Sequence, residues 1–298
     1  MNYEKFCSIL NKHIFEGKKK KLLEKISKNP ERFIGLFRPT KPIGKILQHI
    51  LQSHEILMGK AFEEIIEEIL KSIGYKILPK IILNEKGKKL LLDQYFTNGE
   101  KYFFIEQKLR DDHDSSKKRG QISNFKAKLK ALYKKHGSNL VGIMYFIDPD
   151  LSKNRNYYFE EFEKLKEFYN VELYLFYGKE LFDKYLGKPD LWEKMLSWLK
   201  NWKDSLPEFP EINFDSDPEK SFNEIKNLGI GHWRRILEND RLWEEGVMNV
   251  IFREGKTLIM LFKFFKSKDR KRYEELAKLL EEKLELYFKS QFQNFWKG

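Results

Sequence analysis

Apolar residues recur at helical spacing through the first 75 residues of the chain. In "FCSILNKHIF", "KLLEKI" and "IGKILQHILQSHEILM" this spacing predicts short helices, interrupted at "NPERF" and at Pro39 and Pro42. In "GKAFEEIIEEILKSIGY" a broad apolar stripe predicts an amphipathic helix that ends at Gly74, the residue type that helix C-caps prefer. We therefore expect a helical N-terminal segment, 1–58, followed by a longer helix.

The apolar period then changes to that of strands. The runs "YKILPKIILN", "KKLLLDQYFT" and "KYFFIEQKL" predict three strands in a meander, and the "NG" between the last two predicts a hairpin. Helical spacing returns in "GQISNFKAKLKALYKKHG" and in "YYFEEFEKLKEFYN". "NLVGIMYFIDP" and "VELYLFYG" are continuous apolar runs, typical of strands buried on both faces.

This order of elements predicts an α/β core with a central mixed sheet flanked by helices, over 59–180. The remaining residues, 181–298, are predicted to be mostly helical, with a terminal helix in "RKRYEELAKLLEEKLELYFKSQF". Within them, "GVMNVIFREGKTLIMLFKFF" is interpreted as a strand or hairpin. The Trp-rich run "LWEKMLSWLKNW" has helical spacing and is interpreted as core or a dimer face.

Charge points to a polyanionic partner. The 298-residue chain has a formal net charge of +12, and between residues 117 and 135 there are eight Lys or Arg and no Asp or Glu. A solvated helix face is the ordinary explanation of such a run, but eight like charges also suit binding to nucleic acid. A single cysteine excludes a disulfide framework and a Cys-rich zinc site. With no signal peptide or membrane-spanning run, we expect a soluble, cytoplasmic protein.

Charged residues interrupt two of the apolar strands. Because side chains alternate along a strand, Glu106 and Lys108 point to the same face, and the predicted hairpin brings Asp93 alongside them. Adjacent carboxylates repel unless a cation lies between them, and Asp and Glu oxygens suit magnesium. Burial would lower the pKa of Lys108, which could then position an attacking water and help to deprotonate it. The pattern indicates metal-assisted phosphodiester hydrolysis; an exposed ion pair on a solvated face is the alternative.

These residues resemble the PD-(D/E)xK nuclease superfamily, in particular type II restriction endonucleases. The resemblance covers roughly 59–180 and rests on Asp93 in "LLLDQYF" and on Glu106, Gln107 and Lys108 in "IEQK". Leu92 replaces the proline that usually precedes the first Asp. The longer stretch "FIEQKLRDDHDSSKKRGQISNF" is similar to restriction enzymes that cut short interrupted sites of the GANTC type.

The resemblance implies that Asp93, Glu106 and the main-chain carbonyl of Gln107 bind Mg²⁺ and that Lys108 orients the attacking water. The products would carry a 5′-phosphate and a 3′-hydroxyl. A Glu from the first core helix often joins this site; Glu63 is the best match, with Glu64 and Glu67 as competitors. It also implies a homodimer acting on double-stranded DNA and a cognate DNA methyltransferase.

Several further residues are candidates for DNA binding. Lys117, Lys118 and Arg119 precede or open the basic helix, where free backbone N–H groups also favour phosphate. Gln121 resembles the superfamily's helix Gln near the site. Asp111, Asp112, His113 and Asp114 suit metal binding, base contacts or, as we favour, helix capping together with Ser115 or Ser116.

Arg234 and Arg235 in "GIGHWRRILENDRLW" could contact base edges or only phosphates. Three other functions stay open: a repair or recombination nuclease that cuts by DNA structure, a nucleic acid binding module with an inactive nuclease core, and an RNA-directed nuclease.

Overall fold

The computed structural model describes residues 1–35, 37–112 and 114–289. They form two compact units, each built from separate stretches of the chain. The first unit comprises 1–13 and 56–206; the second comprises 14–55 and the described residues from 207 onward. The functional division into 1–58, 59–180 and 181–298 stays a prediction, and its boundary between residues 58 and 59 lies inside a continuous helix. In the described part of the chain, no helix is both long and apolar enough to span a bilayer.

The first unit is an α/β fold, as predicted. Its helices are α1 (Tyr3–Ile14), which reaches the unit boundary, α4 (Pro42–Ser72), which crosses it, α5 (Ser115–His136), α6 (Arg155–Tyr169) and α7 (Pro189–Asp204). Its strands are β1 (Lys76–Ile77), β2 (Ile81–Leu83), β3 (Lys89–Leu91), β4 (Gln94–Thr97), β5 (Tyr102–Lys108), β6 (Leu140–Phe146) and β7 (Glu172–Tyr177).

The main sheet is mixed. Among the described residues it has five strands in the order β1-β4-β5-β6-β7, of which β1, β4 and β5 pair antiparallel and β5, β6 and β7 pair parallel. β2 and β3 form a separate antiparallel hairpin. Every residue of β6 is buried, which explains its continuous apolar sequence. Phe104 of β5 packs against Phe125 of α5, with ring centroids 4.9 Å apart, so α5 covers one face of the sheet.

The three-strand meander is correct in outline and wrong in detail. The predicted β4–β5 hairpin forms, but "YKILPKIILN" is divided between β1 and β2 and "KKLLLDQYFT" between β3 and β4. Pro79, which has no N–H to donate, lies between β1 and β2. The expected short helix before residue 58 and the longer helix after it are one 31-residue helix, α4.

The second unit is helical in its described residues, with α2 (Lys18–Lys28), α3 (Glu31–Ile34), α8 (Pro218–Ile225), α9 (Ile230–Leu237), α10 (Asp240–Glu244), α11 (Val247–Ile251), α12 (Lys256–Lys266) and α13 (Lys271–Tyr287). The strand or hairpin interpretation of "GVMNVIFREGKTLIMLFKFF" is wrong. Leu258, Leu261, Phe262 and Phe265 of α12 are buried in one apolar cluster at helical spacing, and this packing decides the conformation. α13 confirms the predicted terminal helix as far as Tyr287; residues 290–292 of that prediction lie outside the described residues.

Candidate active site

The β4–β5 hairpin brings the predicted carboxylates and lysine together. Its register pairs Gln94 with Ile105, so Asp93, one residue before β4, continues the ladder opposite Glu106. The Gln107 amide donates to Asp93 Oδ2 over 2.8 Å, which fixes the Asp93 carboxylate against β5. The hairpin therefore turns a distant sequence pair into neighbours.

Three oxygens surround the Lys108 ammonium. Nζ lies 2.8 Å from Glu106 Oε1, 2.8 Å from the Gln107 carbonyl oxygen and 3.2 Å from Asp93 Oδ2. Lys108 keeps 27% of its side-chain exposure, whereas Glu106 keeps 2%. The Lys108 side chain is thus partly open to solvent, whereas Glu106 is almost fully buried.

Glu106 has a second set of partners on α5. Asn124 donates to Glu106 Oε1 over 3.1 Å, and the buried ammonium of Lys128 forms an ion pair with Glu106 Oε2. Neither residue is among those predicted from the sequence. A signal was present, because Lys128 lies three residues after Phe125 and four before Leu132, on the buried face of α5.

Burial and neighbouring charges act in opposite directions on the pKa values of Glu106 and Lys108. Burial alone would raise the pKa of Glu106, but Lys108 and Lys128 hold it below its usual range. Burial would lower the pKa of Lys108, yet Glu106 and Asp93 raise it above its usual value. The expected lowering of the Lys108 pKa is therefore wrong for this geometry. Lys108 is an ammonium that donates hydrogen bonds rather than a neutral base.

Of the three competing glutamates on α4, Glu63 is the one placed toward the site. Burial, with Asp93 as the next contribution, raises the Glu63 pKa to about 7. The side chain of Gln94 donates to the Glu63 carbonyl oxygen over 2.7 Å, which ties α4 to the start of β4. In contrast, Glu64 pairs with Lys12 and His13, and Glu67 pairs with Lys71 and Lys80.

The oxygens around Lys108 suit a divalent cation in their chemistry. They comprise two carboxylates and one carbonyl, the ligand types that magnesium prefers, and they already enclose a positive charge. Across 1–35, 37–112 and 114–289, no three His, Cys, Asp or Glu side chains lie close enough together to hold a metal ion by themselves. With these side-chain positions, Asp93 and Glu106 would therefore need a main-chain ligand, such as the Gln107 carbonyl, to complete a set.

The comparison with protein families decides the assignment. The family described as "Type II restriction endonuclease, HinfI" matches residues 2–82 and 76–203, which is more than half of the chain. The chain belongs to the HinfI family of type II restriction endonucleases. A search among curated proteins gives no match. For this HinfI-family chain, the predicted resemblance to restriction endonucleases is confirmed.

The basic helix of the HinfI-family chain begins earlier than predicted. α5 starts at Ser115, and the side chain of Asp114 accepts a hydrogen bond from the Lys117 amide over 2.8 Å. The favoured capping role is therefore confirmed for Asp114, whereas Ser115 and Ser116 lie inside the helix and are not its N-cap. Lys117 and Arg119 are exposed in the first turns, and Lys118 Nζ lies 4.5 Å from the centre of the Tyr157 ring. His113 lies outside the described residues.

Two other predicted residues make interior contacts. Gln121 is buried, and its Oε1 accepts a hydrogen bond from the Tyr158 hydroxyl over 2.5 Å. Asp111 is fully buried and accepts hydrogen bonds from the Asn154 amide and side chain and from the Tyr177 hydroxyl. Asp111 therefore anchors the end of β5 to the loop before α6, while Asp112 is exposed.

Arg234 and Arg235 lie on α9 in the second unit. Arg234 is paired with Glu275 and lies 3.7 Å from Glu238, so its guanidinium is already engaged. Arg235 is exposed, and the neighbouring Trp233 is buried in the apolar core of that unit.

Proposed function

We propose that this HinfI-family chain is a Mg²⁺-dependent endonuclease that cuts both strands of duplex DNA at short interrupted sites of the GANTC type. It leaves 5′-phosphate and 3′-hydroxyl ends and acts as a homodimer in the cytoplasm, beside a cognate methyltransferase. The observation that supports this proposal best is the cage of Asp93, Glu106 and Gln107 oxygens around Lys108. These oxygens are of the types that magnesium prefers, and Lys108, which they now enclose, would turn toward the phosphate when the ion takes its place.

Each residue has a defined part in the proposed reaction. Asp93, Glu106 and the Gln107 carbonyl would hold magnesium, and Glu63 would join them only after its side chain moves closer. When bound, the ion supplies positive charge to the scissile phosphate and lowers the pKa of water. Lys108 donates a hydrogen bond that orients the attacking water, and its charge faces the negative charge that develops on the phosphoryl group. Lys128 and Asn124 keep the Glu106 carboxylate in place throughout.

The remaining candidates belong to DNA binding. Lys117, Lys118 and Arg119 lie in the first turns of α5, where their side-chain charges favour phosphate. Arg235 is exposed and available to DNA. Gln121 and Arg234 stay in the proposed set with their interior partners, Gln121 as a support for α5 and Arg234 as a contact formed once its ion pairs open.

The rival functions fit less well. A binding module with an inactive core has no need of a buried Glu106 held ionised by two lysines. A structure-directed repair nuclease or an RNA nuclease could use the same site, but the HinfI family match favours restriction.

One experiment tests the proposal. Purified protein is incubated with unmethylated phage DNA, with and without Mg²⁺, and the fragments are separated and their ends sequenced. We expect discrete, Mg²⁺-dependent fragments that share one end sequence with 5′-phosphates. A smear, or cutting only at branched DNA or on RNA, would contradict a restriction function.

A matched pair of variants separates chemistry from folding. Asp93→Ala removes a proposed metal ligand and is expected to lower the rate of DNA cutting at least about 10³-fold without loss of folded protein. Asp150→Ala removes an exposed carboxylate after β6 and serves as the control. Equal cutting by both variants would rule out the assigned site.

A further inference from the structure

The β2–β3 hairpin presents apolar side chains to solvent. Ile81, Leu83 and Leu91 are 60%, 61% and 63% exposed, far more than aliphatic residues in the adjoining strands. The register pairs Ile81 with Leu91 and Leu83 with Lys89, so all four side chains share one face. Contiguous exposed apolar residues of this kind mark interaction sites more often than chance.

The hairpin is a fixed element of the first unit. Its other face carries Ile82, which packs against the apolar cluster between the sheet and α5. The turn is organised by Asn84, whose Oδ1 accepts from the Lys86 and Lys88 amides over 3.0 and 2.9 Å. Gly87 adopts a φ of +70°, a conformation that favours glycine. An ion pair of 2.9 Å between Glu85 and Lys130 joins the turn to α5.

The hairpin leads directly into the proposed active site. β3 ends at Leu91, and the Leu92 amide donates to the Lys80 carbonyl oxygen over 2.8 Å, which fixes the approach to Asp93. Asp93 is two residues beyond Leu91, and two residues of chain span at most about 7 Å. The major groove of B-DNA is about 12 Å wide, so a duplex with a phosphate at Asp93 extends over Leu91.

The positive charge of the β2–β3 hairpin also favours DNA as the partner that binds its apolar face. Lys86, Lys88 and Lys89 are exposed on the turn and on the apolar face, while the acidic residue of the turn, Glu85, is paired. A second copy of the chain would bring the same lysines together. Three aliphatic side chains also form a patch well below the roughly 800 Å² per partner that a stable dimer buries.

We propose that the β2–β3 hairpin is a DNA-contacting element. Ile81, Leu83 and Leu91 contact apolar groups in a groove, such as thymine methyls or an opened base step, and Lys86, Lys88 and Lys89 bind the flanking phosphates. This inference rests on the proposed function, because it places the scissile phosphate at Asp93.

Two variants separate the apolar contribution from the charged one. Ile81→Thr/Leu83→Thr/Leu91→Thr keeps residue types that strands favour and removes the aliphatic surface. Lys86→Ala/Lys88→Ala/Lys89→Ala removes the charges. Phe159→Ser/Phe168→Ser, which changes two exposed aromatics of α6, is the matched control.

Binding is measured by fluorescence anisotropy with a duplex that carries the site found by end-sequencing, in Ca²⁺ and at several salt concentrations. The threonine variant is expected to bind at least tenfold more weakly than wild type with the same dependence of log K on log[salt]. The alanine variant is expected to reduce that slope, by about 0.9 for each phosphate that a lysine no longer neutralises. The control should match wild type in both respects.

Wild-type affinity in the threonine variant would overturn the proposal. Dimer dissociation of that variant in sedimentation with unchanged affinity would instead assign the face to a second copy, which also overturns it. Leu83→Thr alone repeats the test with the smallest disturbance of the hairpin. Failure of the wild type to cut or bind duplex DNA would contradict the proposed function rather than this inference.

Discussion

Glu63 occupies a position where its ionised form is disfavoured. Its pKa is raised to about 7 because it is buried and lies near Asp93. The folded protein then holds a proton that the unfolded chain has already released. The contribution of Glu63 to the stability of the metal-free protein is therefore fully present below about pH 4.5 and is lost as the pH rises through about 7.

Glu63→Gln is expected to remove the loss of stability that Glu63 causes as the pH rises. In chelator, at pH 8, the variant should have a free energy of unfolding higher by about 1–2 kcal/mol, after allowance for partial exposure, and at pH 5 the difference should be small. Urea unfolding at the two pH values checks this. Glu64→Gln should lower stability at pH 8, because His13 and Lys12 hold the pKa of Glu64 below its usual range. Identical unfolding of Glu63→Gln and wild type at pH 8 would contradict the raised pKa.

Lys128 is the more deeply buried of the two lysines that pair with Glu106. Lys128→Met is expected to destabilise the protein by about 2–3 kcal/mol, because it leaves a buried carboxylate with Lys108 alone. Glu106→Gln added to Lys128→Met should restore part of that loss, and chemical denaturation of the four proteins measures the coupling. Lys126→Met breaks a more exposed pair with Glu161 on the same helix and should cost about 1 kcal/mol or less. Additive losses in the double variant would mean that Lys128 and Glu106 are not coupled.

Some side chains of the site could be predicted from the sequence and others could not. Asp93, Glu106 and Lys108 could be brought together because strand alternation and a tight turn fix their register. The spacing of Lys128 from Phe125 and Leu132 places it on the buried face of α5, but nothing in the sequence indicates that it pairs with Glu106. The pKa of Lys108 could not be predicted because burial and two carboxylates act in opposite directions.

Gly59 in α4 and Gly142 in β6 differ in the space available for a larger side chain. Gly59 lies inside α4, and a Cβ added there would meet no atom within 4 Å apart from its chain neighbours and the backbone of its own helix. Gly142 lies in β6, where an added Cβ would be 2.7 Å from Leu173 and 2.8 Å from Phe104. One glycine therefore only weakens a helix, while the other allows neighbouring side chains to approach the sheet.

Gly59→Ala is expected to raise the free energy of unfolding by about 0.5–1 kcal/mol through helix propensity. Gly142→Ala is expected to lower it by about 1–3 kcal/mol because the methyl group overpacks the sheet. Thermal melts followed by circular dichroism compare the two directly. Destabilisation by Gly59→Ala would contradict a continuous α4.

Most helices and strands could be predicted where the apolar residues follow only one spacing, that of a helix or that of a strand. α5, α6, β6 and β7 were expected from their spacing, and only boundaries moved. The run in 246–265 was mistaken for strands because its apolar residues are dense enough to satisfy either period. Packing with the rest of the second unit resolved that ambiguity, and the sequence does not encode that packing locally.

The proposed homodimer makes a prediction for the complete enzyme. If each subunit cuts one strand, a dimer of one wild-type subunit and one Asp93→Ala subunit should nick plasmid DNA and leave open circles, whereas wild type should linearise it. Differently tagged subunits allow the mixed dimer to be purified, and gel electrophoresis distinguishes the products. Linearisation by the mixed dimer at the wild-type rate would contradict one active site per strand.

The discontinuous second unit has a consequence for the order in which the chain is synthesised. Leu22, Leu23 and Ile26 of α2 belong to the same apolar cluster as Trp233 of α9 and Leu280 of α13. The Lys19 amide also donates to the side chain of Glu224 over 2.6 Å. These partners leave the ribosome about 200 residues later, at roughly 5–20 residues per second. The apolar face of α2 therefore stays uncovered for roughly 10–40 seconds, and the second unit can be completed only after α13 has been synthesised.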